Sequence, residues 1–225
     1  MPLVSMNDDH NCLILEALLR DGWVETDIDP VTPERHAVAV IATARALGTV
    51  TAVRGLHAIE TLRPRTRPQA RQGCMSAVFG CGVQPWHMDM AHRPSPARFI
   101  LLSCMDPGER PCATELLNWR QLLSSEQLTL SSEAPVLVRS GRASFYTTML
   151  DGQQRFLRHD PTCITALTDE GRALQAQIAA ASERVHAAHW QAGRTLIFDN
   201  WRFLHRRSDA SHSPSRALLR ITIME

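Results

Sequence analysis

Lysine is missing from this chain: all 24 basic residues are arginine. That single absence excludes a Schiff-base lysine, a P-loop lysine and a kinase-type lysine together. No G-x-G-x-x-G follows a candidate strand and no G-x-S-x-G occurs, so dinucleotide binding and α/β-hydrolase chemistry have no support. No apolar run approaches the roughly 18 residues needed to cross a bilayer. The opening MPLVSMNDDH also lacks the basic-then-apolar layout of a signal peptide, and a cytoplasmic protein is the expectation. Net charge is only +1 with no long basic run, which argues against nucleic acid or membrane as partner and for a small-molecule substrate. The six cysteines (Cys12, Cys74, Cys81, Cys104, Cys112 and Cys163) contain no C-x-x-C pair. They read as buried free thiols, neither a zinc ribbon nor a disulfide framework.

What is present fits one domain of 225 residues, mainly β with flanking helices: a helical part over 1–48 and a β core over about 50–225. A helix is expected from about Asp9 to Arg20, with Leu13, Leu15, Leu18 and Leu19 as its apolar residues and Gly22 beyond its end. Thr32-Pro33-Glu34 has the cap and first-turn proline of a second helix, which runs through Ala37 to Ala46 and stops at Gly48. Short apolar runs then follow, broken by Gly, Pro and Ser. Ser76 to Phe79, Arg98 to Cys104, Val136 to Arg139 and Phe145 to Met149 read as strands. A third helix is expected over about Thr168 to Trp190, with Leu174, Ile178, Val185 and Ala188 at helical spacing. Thr195 to Phe198 and Ala217 to Ile223 return to strand composition. Helices around an antiparallel barrel or double sheet is the inferred architecture.

The chemistry-bearing pattern is His87-Met88-Asp89 with a distant His205. On a strand, positions two apart share a face, so His87 and Asp89 would point inward while Trp86 and Met88 point away. Two imidazoles and one carboxylate on an octahedral metal leave three positions open, the arrangement that non-haem Fe(II) needs to activate oxygen. H-x-D alone is a weak signal. The segment after His205 strengthens it: Arg216 and Arg220 are four apart, so on a strand both face one side with Leu218 between them. Inward guanidinium groups require anions, and a planar fork suits a carboxylate. A zinc or manganese hydrolase or isomerase would use the same three ligands but would leave the arginines without a purpose. A silent binding module would be expected to have lost a ligand. His92 reads as a loop or outer-face residue, and His186 with His189 as an exposed pair near a helix C-terminus, favoured there by the helix dipole.

The order H-x-D, distal His, then Arg resembles the Fe(II)/2-oxoglutarate-dependent oxygenases, specifically the taurine dioxygenase (TauD/TfdA)/clavaminate synthase-like family. The resemblance includes Trp86-His87-Met88-Asp89, Pro96-Ala97-Arg98-Phe99-Ile100-Leu101-Leu102 and Ala113-Thr114-Glu115-Leu116. It also includes the stretch from Gly193 to Arg207, similar to the family's G-x-x-x-x-x-D-N-x-R-x-x-H-x-R, and covers roughly Leu47 to the C-terminus. It implies a double-stranded β-helix (jelly-roll) barrel with Fe(II), 2-oxoglutarate as cosubstrate and O2. His87, Asp89 and His205 would be the catalytic metal ligands. Thr114 and Arg216 would hold the distal carboxylate of 2-oxoglutarate, and Arg220 would reach the cosubstrate or an anionic group of the substrate. Arg158-His159-Asp160 resembles the R-x-D stretch with which some members address polar substrates, so Arg158 and Asp160 are substrate-binding expectations; a structural ion pair is the alternative. The implied reaction is oxidation, by default hydroxylation, of a small polar or anionic metabolite such as an amino acid, with release of succinate and CO2.

Overall fold

A computed structural model describes residues 6–28, 32–52, 58–141 and 143–225. Residues 1–5, part of the stretch read for a signal peptide, lie outside the described residues.

Helix α1 (Met6–Asp21) leads into strand β1 (Trp23–Asp27), and helix α2 (Pro33–Leu47) into β2 (Thr49–Thr51) and β3 (Glu60–Leu62). The expected start of α2 is there: the Thr32 side chain accepts from the Arg35 amide at 3.3 Å, with proline in the first turn. Its buried positions His36, Val40 and Ala44 fall four apart on one stripe. Segment 76–79, expected as a strand, instead lies in a short helix, α3 (Met75–Phe79). Five residues with few β-branched side chains, ending at a glycine with φ +59°, close one turn more readily than they extend.

The chain continues through β4 (Phe99–Asp106), β5 (Thr114–Asn118), α4 (Trp119–Leu122), α5 (Ser125–Glu133), β6 (Pro135–Ser140), β7 (Ala143–Thr148) and β8 (Ile164–Ala166). Helix α6 (Asp169–Ala180), β9 (His186–Ala188), β10 (Arg194–Asp199), β11 (Phe203–Arg207) and β12 (Ala217–Met224) complete it. Helix α6 is shorter than the sequence suggested. Leu174 and Ile178 are buried on it as expected, but it ends at Ala180, and Ala188 belongs to β9. Pairing of Ala187 with Glu115 and Ala188 with Thr114 outweighs the helix preference of these alanines, a case of tertiary context overriding propensity. His186 and His189 are therefore not a helical pair: His186 stacks on Trp23 at 3.8 Å and meets Glu25 at 2.9 Å, while His189 is exposed.

Every strand pairing is antiparallel. The large sheet runs β1-β10-β4-β12-β2, with β3 also on β12; a second sheet is β11-β5-β9 and a third is β7-β6-β8. Alternation divides the large sheet into two faces. Phe99, Leu101, Ile197, Leu219, Ile221 and Ile223 pack on Ile14 and Leu18 of α1 and Val40 and Ala44 of α2. A buried polar chain adds to this layer, His36 Nε2 to Ser103 Oγ at 3.0 Å and Ser103 Oγ to Thr195 Oγ1 at 2.7 Å. The other face turns Ile100, Leu102, Phe198 and Leu218 toward Leu116, Phe203 and Ala188 of the second sheet. The protein is thus mainly β with flanking helices, two sheets enclosing one apolar layer. Among the described residues these sheets do not join into a closed barrel.

Candidate metal centre

His87 and His205 are held opposite one another by backbone before any side chain is considered. The His87 amide donates to the His205 carbonyl at 3.0 Å and the His205 amide returns the bond at 2.9 Å. This one bridge is all the strand that His87 has. Asp89 lies in the turn that follows, so a bridge and a turn bring His87 and Asp89 together where strand alternation was expected. Trp86 and Met88 do point away into the core, both fully buried. One ligand atom from each of His87, Asp89 and His205 lies within 4.8 Å of the other two, and all three residues are buried.

The electrostatics suit a cation. His87 Nδ1 is 3.0 Å from the Pro85 carbonyl, which makes it the protonated nitrogen and leaves Nε2 with its lone pair free. Burial, with His87 beside it, pushes the His205 imidazole down to about 3 despite the opposing pull of Asp89, so it is neutral at any ordinary pH. Burial alone would raise Asp89. The Arg220 guanidinium and the two imidazoles outweigh it and hold the carboxyl at about 2. Two imidazoles, the His205 ring neutral, and an ionised carboxylate form the kind of donor set that a divalent metal takes.

Arg220 reaches this carboxylate from the centre of β12, its Nη1 at 2.8 and 3.0 Å from the two Asp89 oxygens. Its Nε and Nη2 bond Glu60, paired across β3. Arg216 lies on the same inner row, just before β12. An irregularity where β12 pairs with β4, between Ala217 and Leu218, falls beside it. The Arg216 guanidinium is 3 % exposed, 5.8 Å from the Trp190 ring, and 3.5 Å from the Thr114 hydroxyl. It makes no ion pair among the described residues, and its Nε has no partner. Burial lowers its pKa, the mark of a charge short of counter-charge.

Arg158 and Asp160 are engaged by other partners than the ones expected. Arg158 is buried and donates to main-chain carbonyls at 91, 93 and 94, and Asp160 accepts from the amide and hydroxyl of Thr162 at 2.8 and 2.6 Å. The alternative of an Arg158–Asp160 ion pair is not what forms. Between them His159 is 2 % exposed, its Nδ1 lacks a partner, and burial pushes it down to about 4.

Sequence reasoning passed over Glu60, His159 and Asn200. The Asn200 Oδ1 accepts from the Asp89 amide at 3.0 Å, and its Nδ2 donates to the Asp89 and Ala97 carbonyls at 3.1 and 2.8 Å. The D-N pair at 199–200 was the available signal for this anchor.

The two depressed imidazoles make acid stability predictable. With folded values near 4 and 3 against about 6.5 in an unfolded chain, the unfolded state takes up protons first as pH falls. Their contribution is complete above about pH 6.5 and is lost on descent toward pH 4 and 3, by roughly 3 kcal/mol for His159 and about 5 kcal/mol for His205 if fully expressed. Denaturant midpoints of chelated protein at pH 7.5, 6 and 5 are expected to fall steadily below 6.5. Midpoints that stay level would mean the folded state protonates these rings as readily as the unfolded one.

Comparison with known proteins places the fold. Residues 126–222 match the sequence model described as "Taurine catabolism dioxygenase TauD, TfdA family". No curated protein sequence matches the chain significantly. Among solved structures, asparagine oxygenase in complex with Fe(II), 3-hydroxyasparagine and succinate superposes with a TM-score of 0.75 at 14 % identity, covering 96 % of this chain and 78 % of that one. The non-haem iron oxygenase OrfP with Fe and α-ketoglutaric acid gives 0.73 at 17 %, covering 96 % and 80 %. PvcB from Pseudomonas aeruginosa gives 0.67 at 17 %, covering 100 % and 83 %. The fold is that of non-haem iron oxygenases. His205, Arg216 and Arg220 lie within the residues that match this family model; His87, Asp89 and Thr114 precede them.

Proposed function

We propose that this chain is an Fe(II)- and 2-oxoglutarate-dependent oxygenase that hydroxylates a small polar or anionic metabolite, an amino acid or a derivative of one. The observation that carries this reading is Arg216: a buried guanidinium with no carboxylate partner among the described residues, its fork beside a threonine hydroxyl, immediately before the strand that carries Arg220. A hydrolase or isomerase on the same three ligands has no use for it. The structural relatives support the substrate class, since asparagine oxygenase is bound to 3-hydroxyasparagine and succinate and OrfP to (3S)-hydroxy-L-Arg and succinate. The two sheets that enclose the shared apolar layer are read as the walls of a double-stranded β-helix. The whole chain is read as one such domain. No helix among the described residues is long and apolar enough to cross a membrane, and a cytoplasmic enzyme is the reading we adopt.

His87, Asp89 and His205 would hold the iron, and three protein ligands would leave it able to take cosubstrate and oxygen. When bound, iron and 2-oxoglutarate supply the oxidising chemistry: O2 delivers one oxygen atom to the substrate C–H and the other to succinate, as CO2 leaves. Arg216 grips the far carboxylate in a fork while the Thr114 hydroxyl donates to it. Arg220, expected to reach cosubstrate or substrate, instead keeps Asp89 ionised and oriented, its remaining donors taken by Glu60. Asp160 stays a candidate for a polar substrate group.

Anaerobic titration of the purified protein with Fe(II) and 2-oxoglutarate tests the reading. A weak visible charge-transfer band is expected only when both are present. Iron binding with no band and no 2-oxoglutarate affinity would transfer the site to hydrolytic or isomerase chemistry.

A further inference from the structure

The turn that carries Asp89 is one the backbone would not choose unaided. Met90 sits at φ +59°, the left-handed region, which is disfavoured for a residue with a Cβ. The loop after it returns to β4 without regular structure. A carboxylate on such a turn keeps its place only if the loop is fastened from outside.

Arg158 fastens it. Its Nη1 donates to the carbonyls of Ala91 and, at 2.7 Å, Arg93; its Nη2 donates to Pro94 at 3.1 Å. The guanidinium is 3 % exposed, lies against the rings of Phe145 and Phe156 at 5.6 and 5.2 Å, and makes no ion pair among the described residues. Burying a charge this way is costly, and three carbonyl acceptors are what offsets it. The same segment also holds the other side of Asp89, because the His159 carbonyl accepts from the Met88 amide at 2.8 Å. Residues 158–159 thus grip the metal segment immediately before and shortly after its carboxylate, while Asn200 bonds Asp89's own backbone.

We infer that Arg158 is a positioning residue that presets Asp89 for metal, and not a reader of substrate. The inference rests on Asp89 being a metal ligand. Lysine keeps the charge at this position but has no planar fork to span several carbonyls, so it is an informative replacement.

Co(II) is the probe, followed by its visible d–d bands, in wild type, Arg158→Lys and Arg158→Gln. Both variants are expected to unfold cooperatively yet bind Co(II) about tenfold or more weaker, with altered bands, as loss of an outer support costs other metal sites. A lowered melting temperature with wild-type Co(II) affinity and bands would overturn the inference and leave Arg158 an ordinary stabilising residue. Hydrogen exchange on wild type can overturn the inference even if both variants fail to fold. Amides of Asp89 and Arg93 should be protected with Co(II) and equally with chelator. Protection that appears only with Co(II) would mean the metal, not Arg158, shapes the loop. If wild type binds neither Co(II) nor Fe(II), the oxygenase reading fails, while the chelator exchange data still decide whether the loop is preset.

Discussion

Replacing His205 by alanine is expected to abolish the Fe(II)·2-oxoglutarate band and to weaken metal binding by well beyond the ~10–100-fold that follows from disturbing an outer partner of a ligand. Two ligands then remain where three were, and Asp89, still bonded by Arg220 through both oxygens, has less metal charge to draw it away. The fold should survive. The bonds that set His87 against residue 205 are main chain to main chain, which alanine keeps, and the imidazole lost is a buried group whose Nδ1 had no partner. The expected signature is therefore a near-unchanged circular dichroism spectrum and melting temperature with no band at saturating iron. A variant that still forms the band would remove His205 from the ligand set.

Arg216→Met is expected to produce opposite effects on stability and on ligand binding. The native guanidinium is buried without a counter-charge, so exchanging it for an apolar side chain of similar length should raise the stability of the metal-free protein, by roughly 1–4 kcal/mol if it behaves like other buried charges replaced by apolar groups. The same change deletes a two-point, charge-assisted grip on the cosubstrate, and 2-oxoglutarate should bind about 100-fold weaker or worse. Arg216→Lys should recover only part of that affinity, because a point charge does not reproduce the fork. Thermal denaturation without metal, together with 2-oxoglutarate titration under Fe(II), reads both effects. A methionine variant less stable than wild type, with 2-oxoglutarate affinity intact, would mean the arginine is satisfied within the protein and anchors nothing.

These expectations draw on features that differ in how openly the sequence displays them. The candidate metal cluster and the two arginines were legible through side-chain identity and spacing, two histidines with an aspartate and two arginines four apart; the expected strand geometry held only for Arg220, since a bridge and a turn carry His87 and Asp89 and Arg216 lies just before β12. Helix α2 was legible through Thr32 and Pro33. The extent of α6 was not, since an alanine-rich tail says helix locally and only its pairing with β5 makes residues 186–188 a strand. The supports of the site were hidden for a related reason. Arg158 and Asn200 act on main-chain carbonyls and amides, which every residue possesses, so their partners at 89–97 carry no side-chain pattern that would announce them. Glu60 was hidden because its meaning comes from standing opposite Arg220 across two strands 160 positions apart.

The alternation of β12 has a consequence for insertions and deletions. Its inner row carries Arg220, bonded to Asp89, and its outer row, Leu219, Ile221 and Ile223, is sealed under the two N-terminal helices. Slipping that strand by one position exchanges the rows, turning a guanidinium into the oily layer beneath α1 and α2 and a leucine or isoleucine toward Asp89. A single added or missing codon between 217 and 220 therefore damages the helical layer and the reaction centre at once, whereas the exposed tip at 211–212 can absorb a change in length with the register intact.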